Sequence, residues 1–549
     1  MSDAVQPDDQ KTKAAEGDQR LSADIQDPPS GMGSILQQIG PGLIIAASIV
    51  GSGELIMTTK TGASAGIVLL WLILLGCVIK VFVQLELGRF TVSSGETTLT
   101  ALNRVPGPRT KRINWVVLLW SIMALATIGQ LGGIVGGVSQ AVAITFPITG
   151  DYQDTMRSPA SQSIVRYVGI QQKDPASKEL GWVEEELDEL SAEEKADLLR
   201  QAQLVVNAAD DQERSEQLNI LNGMTSPSTW DDRIWAIIIG LFTAVTLYFG
   251  RYRMIQNFSV VLVVSFTFLT IGNVIALQGT DYALETSDII RGLSFGLPEG
   301  SDAIMTALAT FGIIGVGASE LVMYPYWCLE KGYATSVGPK DESEAWLLRA
   351  TGWIRVMKYD AFASMVIYTL STAAFFLMGV AVLHKDGRIP GNSRLVATLA
   401  ESYVPVFGDY GRLLLLIGAI AVLYSTYLVA NASNSRVFAD FTGVIGLTDR
   451  NVDSKQRRFL VSLLSFCLPL VCVLVYLVVK APLLLIMISG TCQSLLLPVL
   501  GYGALYFRYR ETDIRLRPSR LWDLALITSC IGMLIVGGYG VYKELLKLG

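Results

Sequence analysis

Two glutamates carry the chemistry most easily read from this chain. Residues 51–57 are Gly-Ser-Gly-Glu-Leu-Ile-Met and residues 317–323 are Gly-Ala-Ser-Glu-Leu-Val-Met, identical at four of seven positions. Each copy interrupts a long apolar stretch and sets a carboxylate, Glu54 or Glu320, where a bilayer core would surround it. An ionisable side chain at that depth is costly and marks a functional site. Small residues ahead of each glutamate weaken helical continuity, because Gly is a poor helix former. Gly-interrupted apolar segments in corresponding halves of a chain point to a transporter's midplane site. Breaking both helices would free backbone carbonyls, expected at Gly51 and Ala318, to line a cavity with Ser52 and Ser319 beside it. Carboxylates, carbonyls and waters suit hard cations, and Mg2+ in particular keeps several waters with one or two carboxylates. The plainer alternative is two small-residue packing patches of a kind common in membrane helices.

The elements that would position these groups follow from composition. The chain has 549 residues, 51% hydrophobic and 17% charged, with mean hydropathy +0.43. Repeated apolar runs near the length of a membrane crossing define an all-α, polytopic helical membrane protein. Eleven spans are expected, beginning near Leu36, Ile67, Trp115, Ile234, Phe258, Asp302, Met357, Leu413, Phe459, Leu483 and Leu521. Residues 1–33 lack apolar periodicity and read as a disordered cytoplasmic tail. Residues 34–147 hold spans 1 to 3, residues 148–232 form an acidic insertion, and residues 233–549 hold spans 4 to 11. The insertion carries 18 Asp and Glu, and Ser191-Ala-Glu-Glu194 fits a capping box that opens a helix. Lys and Arg collect in the loops after spans 2, 4, 6, 8 and 10, which places those loops and the N-terminus in the cytoplasm, with the insertion and C-terminus outside. The six cysteines lie in or beside apolar runs, so no disulfide framework or zinc cluster is expected.

Residues 35–510, apart from the insertion, resemble the Nramp family of divalent metal transporters. Gly51-Ser52-Gly53-Glu54 followed by Gly62-Ala63 keeps the spacing of the family's Asp-Pro-Gly-Asn and Gly-Ala in span 1. Gln84 with Gly95, Gly296-Leu297-Pro298, Asp360, Ser425-Thr426 with Phe441, and Ser489 to Pro498, which contains Gln493, match further family positions in order. The resemblance implies a LeuT-type inverted repeat (5+5) plus one extra helix, 11 transmembrane spans, and broken helices 1 and 6. The departures are informative. Gly51 and Glu54 stand where the family has its metal-binding Asp and Asn, and Thr372 stands where span 7 carries an Asn. Aligned on Gly317-Ala318, the family's metal-binding Met falls on Leu321; a two-residue shift would put it on Met323. Gln130, Gly133 and Gln256 replace acidic residues the family uses in or near proton transfer. These differences resemble the Nramp-related magnesium transporters, a branch that carries Mg2+ and Mn2+ without proton coupling.

The expectation is therefore a multi-pass protein of the cell (inner) membrane, not an enzyme. It would move Mg2+ and/or Mn2+ by alternating access, with the metal as substrate and no resident cofactor. Glu54, Glu320, Gly51 and Ala318 would hold the ion, with Ser52, Ser319, Thr372, Gln493 and Met323 around them. No nucleic-acid or protein partner is indicated beyond the cation and the lipid bilayer. Two alternatives remain on the same fold: a proton-coupled Mn2+/Fe2+ symporter, and a transporter-like sensor that binds a ligand without moving it. Lys80, in apolar surroundings, would pair with an acid or snorkel. Lys60 would reach the outer interface, Asp360 would cap or pair, and His384, the only histidine, would sit in an interfacial loop.

Overall fold

The computed structural model describes residues 25–249, 252–298, 301–448 and 455–548. Among them no strand forms; a single isolated bridge joins Arg109 and Asn114. Nine helical stretches among the described residues are long and apolar enough to cross a membrane. The first, Pro41–Ser94, contains both span 1 and span 2, separated at Gly66 (φ +64°) by the 3-10 turn Gly66–Leu69. Span 5, Tyr252–Leu277, joins them with a shorter apolar part, so the eleven expected spans are present.

Span 1 starts at Pro41, later than expected, because a Pro at the first helical position needs no amide partner. The short helix Met32–Gln38 precedes it. Residues 25–33, expected within the disordered tail, are ordered against the ends of spans 6 and 7. The Gln26 amide donates to the Ser336 carbonyl at 3.1 Å, and the Trp353 indole donates to the Gln26 carbonyl at 3.0 Å. A backbone carbonyl and one tryptophan, both distant along the chain, hold this stretch. Residues 1–24 lie outside the described set.

The loops sort into two faces. On one, Arg112 donates to the Ile445 carbonyl at 2.8 Å, Arg104 pairs with Glu511 at 3.4 Å, and Lys340 pairs with Asp513 at 3.4 Å. These contacts join the basic loops after spans 2, 6, 8 and 10, as alternate crossing requires. On the other face, the insertion folds into the helices Ser161–Lys173, Gly181–Asp188, Ala192–Val206 and Asp211–Thr225 around a small core that includes Ile164, Val183, Leu187 and Leu198. The Ser191 capping box forms, with Glu194 N–H donating to Ser191 Oγ at 3.3 Å and Ser191 N–H to Glu194 Oε2 at 3.2 Å. The insertion is fastened at both sides. Asp231 accepts the amides of Ile148, Thr149 and Gly150, whereas Trp182 donates to the Asp386 carbonyl at 2.8 Å and Arg388 pairs with Glu186 at 3.1 Å.

Candidate functional site

Span 6 breaks between its halves Ser301–Ile313 and Ala318–Lys331. Gly315 turns the chain with φ +58°, a left-handed conformation that favours glycine, and a Cβ there would stand 2.8 Å from the Cys77 Cα. Span 1 departs from an α-helix by a different device. The Thr426 hydroxyl of span 8 (Asp409–Val444) accepts from the Gly51 amide and donates to the Ala47 carbonyl, both at 3.0 Å. In an α-helix that amide and carbonyl would bond to each other. A side chain inserted into the ladder opens it, and Val50–Thr58 winds as a π-helix. Gly51 permits the insertion, since a Cβ would lie 2.4 Å from Thr426 Oγ1.

Both motif glutamates reach these irregular segments. Glu54 is fully buried. Its Oε1 accepts from Thr372 Oγ1 at 2.8 Å and from the Gly315 amide at 3.3 Å, so span 1 grips the break in span 6. Its Oε2 has no hydrogen-bond partner among the described residues. Glu320 lies in the first turn after the break, where the positive end of the second half-helix favours a carboxylate. Its Oε2 accepts from Ser319 Oγ at 2.7 Å.

A polar relay continues from Ser319 across three spans. Gln493 Oε1 accepts from the Ser319 amide at 3.1 Å, and Gln493 Nε2 donates to Gln130 Oε1 at 2.8 Å. Ser489 Oγ donates to the same Gln130 oxygen at 2.8 Å, and Gln130 Nε2 donates to Ser52 Oγ at 3.0 Å. Thr372 thus bonds to Glu54 and Ser319 to Glu320, while Gln493 and Ser52 join the relay through Ser319 and Gln130. Met323 is buried within the second half of span 6. Among the described residues no three His, Cys, Asp or Glu side chains converge, so an ion here would depend on two carboxylates with backbone and neutral oxygens.

Gly51 and Ala318 are the two expected backbone ligands. Gly51 serves the approach of Thr426, its amide taken by that hydroxyl. Ala318 opens a half-helix, so its carbonyl faces the amide one turn on. The carbonyls that the break does expose are earlier, at Phe311 and Ile314, and both accept from Lys80 Nζ, the latter at 2.7 Å. Lys80 therefore neither snorkels nor pairs directly with an acid. A lysine inside an apolar span was the signal, but the carbonyl partners belong to tertiary structure. Asp360 caps, accepting the Gly40 amide at 2.7 Å and the Gly42 amide at 2.6 Å. Lys60 donates to the Pro390 carbonyl at 3.3 Å on the insertion's side, and His384 Nδ1 lies 2.9 Å from the Ala63 carbonyl. Gln256 has its side chain outside the described set.

Helices packed about a broken span with buried carboxylates are the build of a multi-pass membrane transporter. The Nramp profile (Natural resistance-associated macrophage protein-like) matches residues 218–543, a stretch that includes Glu320, Thr372 and Gln493 and excludes Glu54. The chain belongs to the Nramp family of divalent metal transporters. Among solved structures it is similar to an H-to-A mutant of the Eremococcus coleocola manganese transporter, with 15% identity, TM-score 0.55, and 93% of this chain and 88% of that chain covered. The same transporter in complex with an aromatic bis-isothiourea substituted compound aligns at 14% identity and TM-score 0.53, covering 94% of this chain and 90% of that one. At such identity the likeness shows the fold, of the LeuT type. No curated protein matches by sequence comparison.

Proposed function

We propose that this chain carries the hard divalent cations Mg2+ and/or Mn2+ across the cell (inner) membrane by alternating access, without coupled protons. The observation that carries this reading is the pair Glu54 and Glu320, both buried and both engaging the residues around one helix break. Glu54 Oε2 has no partner among the described residues, and a buried carboxylate oxygen without compensation is unfavourable. A divalent cation, keeping part of its water, supplies that compensation. Neighbouring backbone oxygens complete the shell, the hydroxyls of Thr372 and Ser319 hold the carboxylates, and Gln493 with Gln130 and Ser52 braces Ser319 from behind. A thioether would favour transition metals, and Met323 lies in the motif next to this site without an assigned part in it. The Eremococcus coleocola protein of similar fold is a manganese transporter, which supports Mn2+ as one cargo.

The absence of proton coupling is supported by span 3 (Trp115–Thr145). Proton relays in membranes run through Asp, Glu and His. Gln130 bonds to the neutral side chains of Ser52, Ser489 and Gln493, and at Gly133 an added Cβ would stand 2.4 Å from the Pro482 carbonyl oxygen, leaving no room for an acid. The orientation follows the basic loops, with the N-terminus in the cytoplasm and the insertion and C-terminus outside. Purified protein in liposomes holding a pH-sensitive dye tests the whole reading. Mn2+ or Mg2+ should enter down its gradient while the dye stays flat. Acidification that requires both metal and protein would favour the symporter, and metal binding with no flux would favour the sensor.

A further inference from the structure

Lys80 lies on span 2 (Leu70–Ser94) with its side chain fully buried. An ammonium in such a place is costly unless paired and hydrogen-bonded. Its partners are the carbonyl oxygens of Phe311 and Ile314, and its Nζ stands 4.7 Å from the Phe311 ring centroid. Phe311 belongs to the last turn of the first half of span 6, and Ile314 directly follows it. The last carbonyls of a helix lack partners within it and form the negative end of its dipole. They are also hard oxygen donors, the kind a divalent cation takes.

One peptide group joins this ammonium to the candidate site. The carbonyl of the Ile314–Gly315 peptide accepts from Lys80, and its amide N–H donates to Glu54 Oε1 at 3.3 Å. The acidic side chains whose fields reach Lys80 are Glu54 from span 1 and Glu320 from the second half of span 6. Span 7 (Glu344–Met378) adds the neutral Thr372 hydroxyl, which contacts both Glu54 and Cys77. Two ionised carboxylates with one ammonium leave a single net negative charge where the glutamates alone would leave two.

We infer that Lys80 is the internal counter-cation of the transport site: it occupies the carbonyl oxygens of the span 6 break when no metal is bound, and an entering divalent cation displaces it. The inference rests on the site proposed above. The two cations repel each other and want the same kind of oxygens, so Lys80 and the metal compete. Lys80 therefore weakens metal binding and stabilises the empty carrier, which an uncoupled transporter has to return across the membrane without cargo.

Lys80→Met tests this by keeping length and removing charge. Expected are Mn2+ binding tighter by about tenfold or more, slower net uptake into metal-free liposomes, and retained exchange when Mn2+ is present on both sides. A merely structural lysine would not separate net uptake from exchange. Lys80→Arg keeps the charge and should keep net uptake. Phe311→Leu removes the ring beneath the ammonium and should tighten Mn2+ binding by less than Lys80→Met. Calorimetry showing unchanged or weaker Mn2+ binding in folded Lys80→Met overturns the inference; should that variant not fold, the same result in Phe311→Leu does so. Glu54→Gln and Glu320→Gln run in parallel separate the two ideas. Lost binding there with no effect at Lys80 removes only the counter-cation, whereas unchanged binding in both glutamate variants removes the site itself.

Discussion

Thr426 stands inside a hydrogen bond of span 1, accepting from the Gly51 amide at 3.0 Å in the place of the Ala47 carbonyl. The π-helical winding that carries Glu54 begins where this hydroxyl enters and where Gly51 has no side chain to oppose it. Gly51→Ala would put a methyl 2.4 Å from Thr426 Oγ1, and overpacking of this kind costs about 1–3 kcal/mol. The expected result is a lowered melting temperature and transport reduced beyond the loss of folded protein. Thr426→Val should also impair transport, by closing the helix and moving Glu54. Normal flux in both variants would show that the winding of span 1 is incidental.

Glu54→Gln and Glu320→Gln each keep side-chain size and remove one charge. Breaking a buried charge pairing costs about 3–5 kcal/mol, so each substitution should reduce Mn2+ or Mg2+ binding by orders of magnitude while the protein still folds. His384→Gln, at the end of span 7, should change binding little. Isothermal calorimetry on the purified variants reads all three.

A cysteine at Ser191 on a cysteine-free background reports orientation. Ser191 begins an insertion helix, far from the basic loops in sequence and on the opposite face. A membrane-impermeant maleimide should label it in intact cells. Labelling that appears only after permeabilisation would reverse the orientation of the chain.

Asp513, in the loop before span 11 (Arg520–Leu548), is held well below the ordinary carboxylate range, first by its hydrogen bonds to the Arg515 guanidinium and then by the Arg515 amide and Lys340. A carboxylate with a depressed folded-state value binds protons more weakly folded than unfolded. Its stabilisation is therefore present above about pH 4, the unfolded value, and lost as pH falls toward the folded one. Thermal unfolding of the wild type and Asp513→Asn should differ at neutral pH and converge under acid. A gap that stays constant down to strongly acid pH would remove this role.

Much of the fold is readable in the sequence because hydropathy reports membrane crossings directly. The span count, the loop sidedness, the Ser191 cap and the interruption near Glu320 all follow from local pattern. The candidate site is readable as residue types, and the structure joins Thr372 to Glu54 and Ser319 to both Glu320 and Gln493. What sequence does not supply are partners distant along the chain. Nothing near Gly51 announces that Thr426, 375 positions away, enters its helix. Nothing near Lys80 names the carbonyls of Phe311 and Ile314, since every residue has a carbonyl and only the fold decides which are left unpaired. The ordered stretch 25–33 escapes composition for the same reason, its anchors being backbone atoms and one tryptophan.

The two-sided fastening of the insertion has a mechanical consequence. One edge is tied to the ends of spans 3 and 4 through Asp231, the other to the connection between spans 7 and 8 through Trp182, Glu186 and their partners. Any motion that parts those pairs of helices on this face has to carry the insertion as a strut under load, or unclip one edge of it. A binding protein raised against the insertion would therefore grip the moving machinery from outside, without needing to reach between the helices.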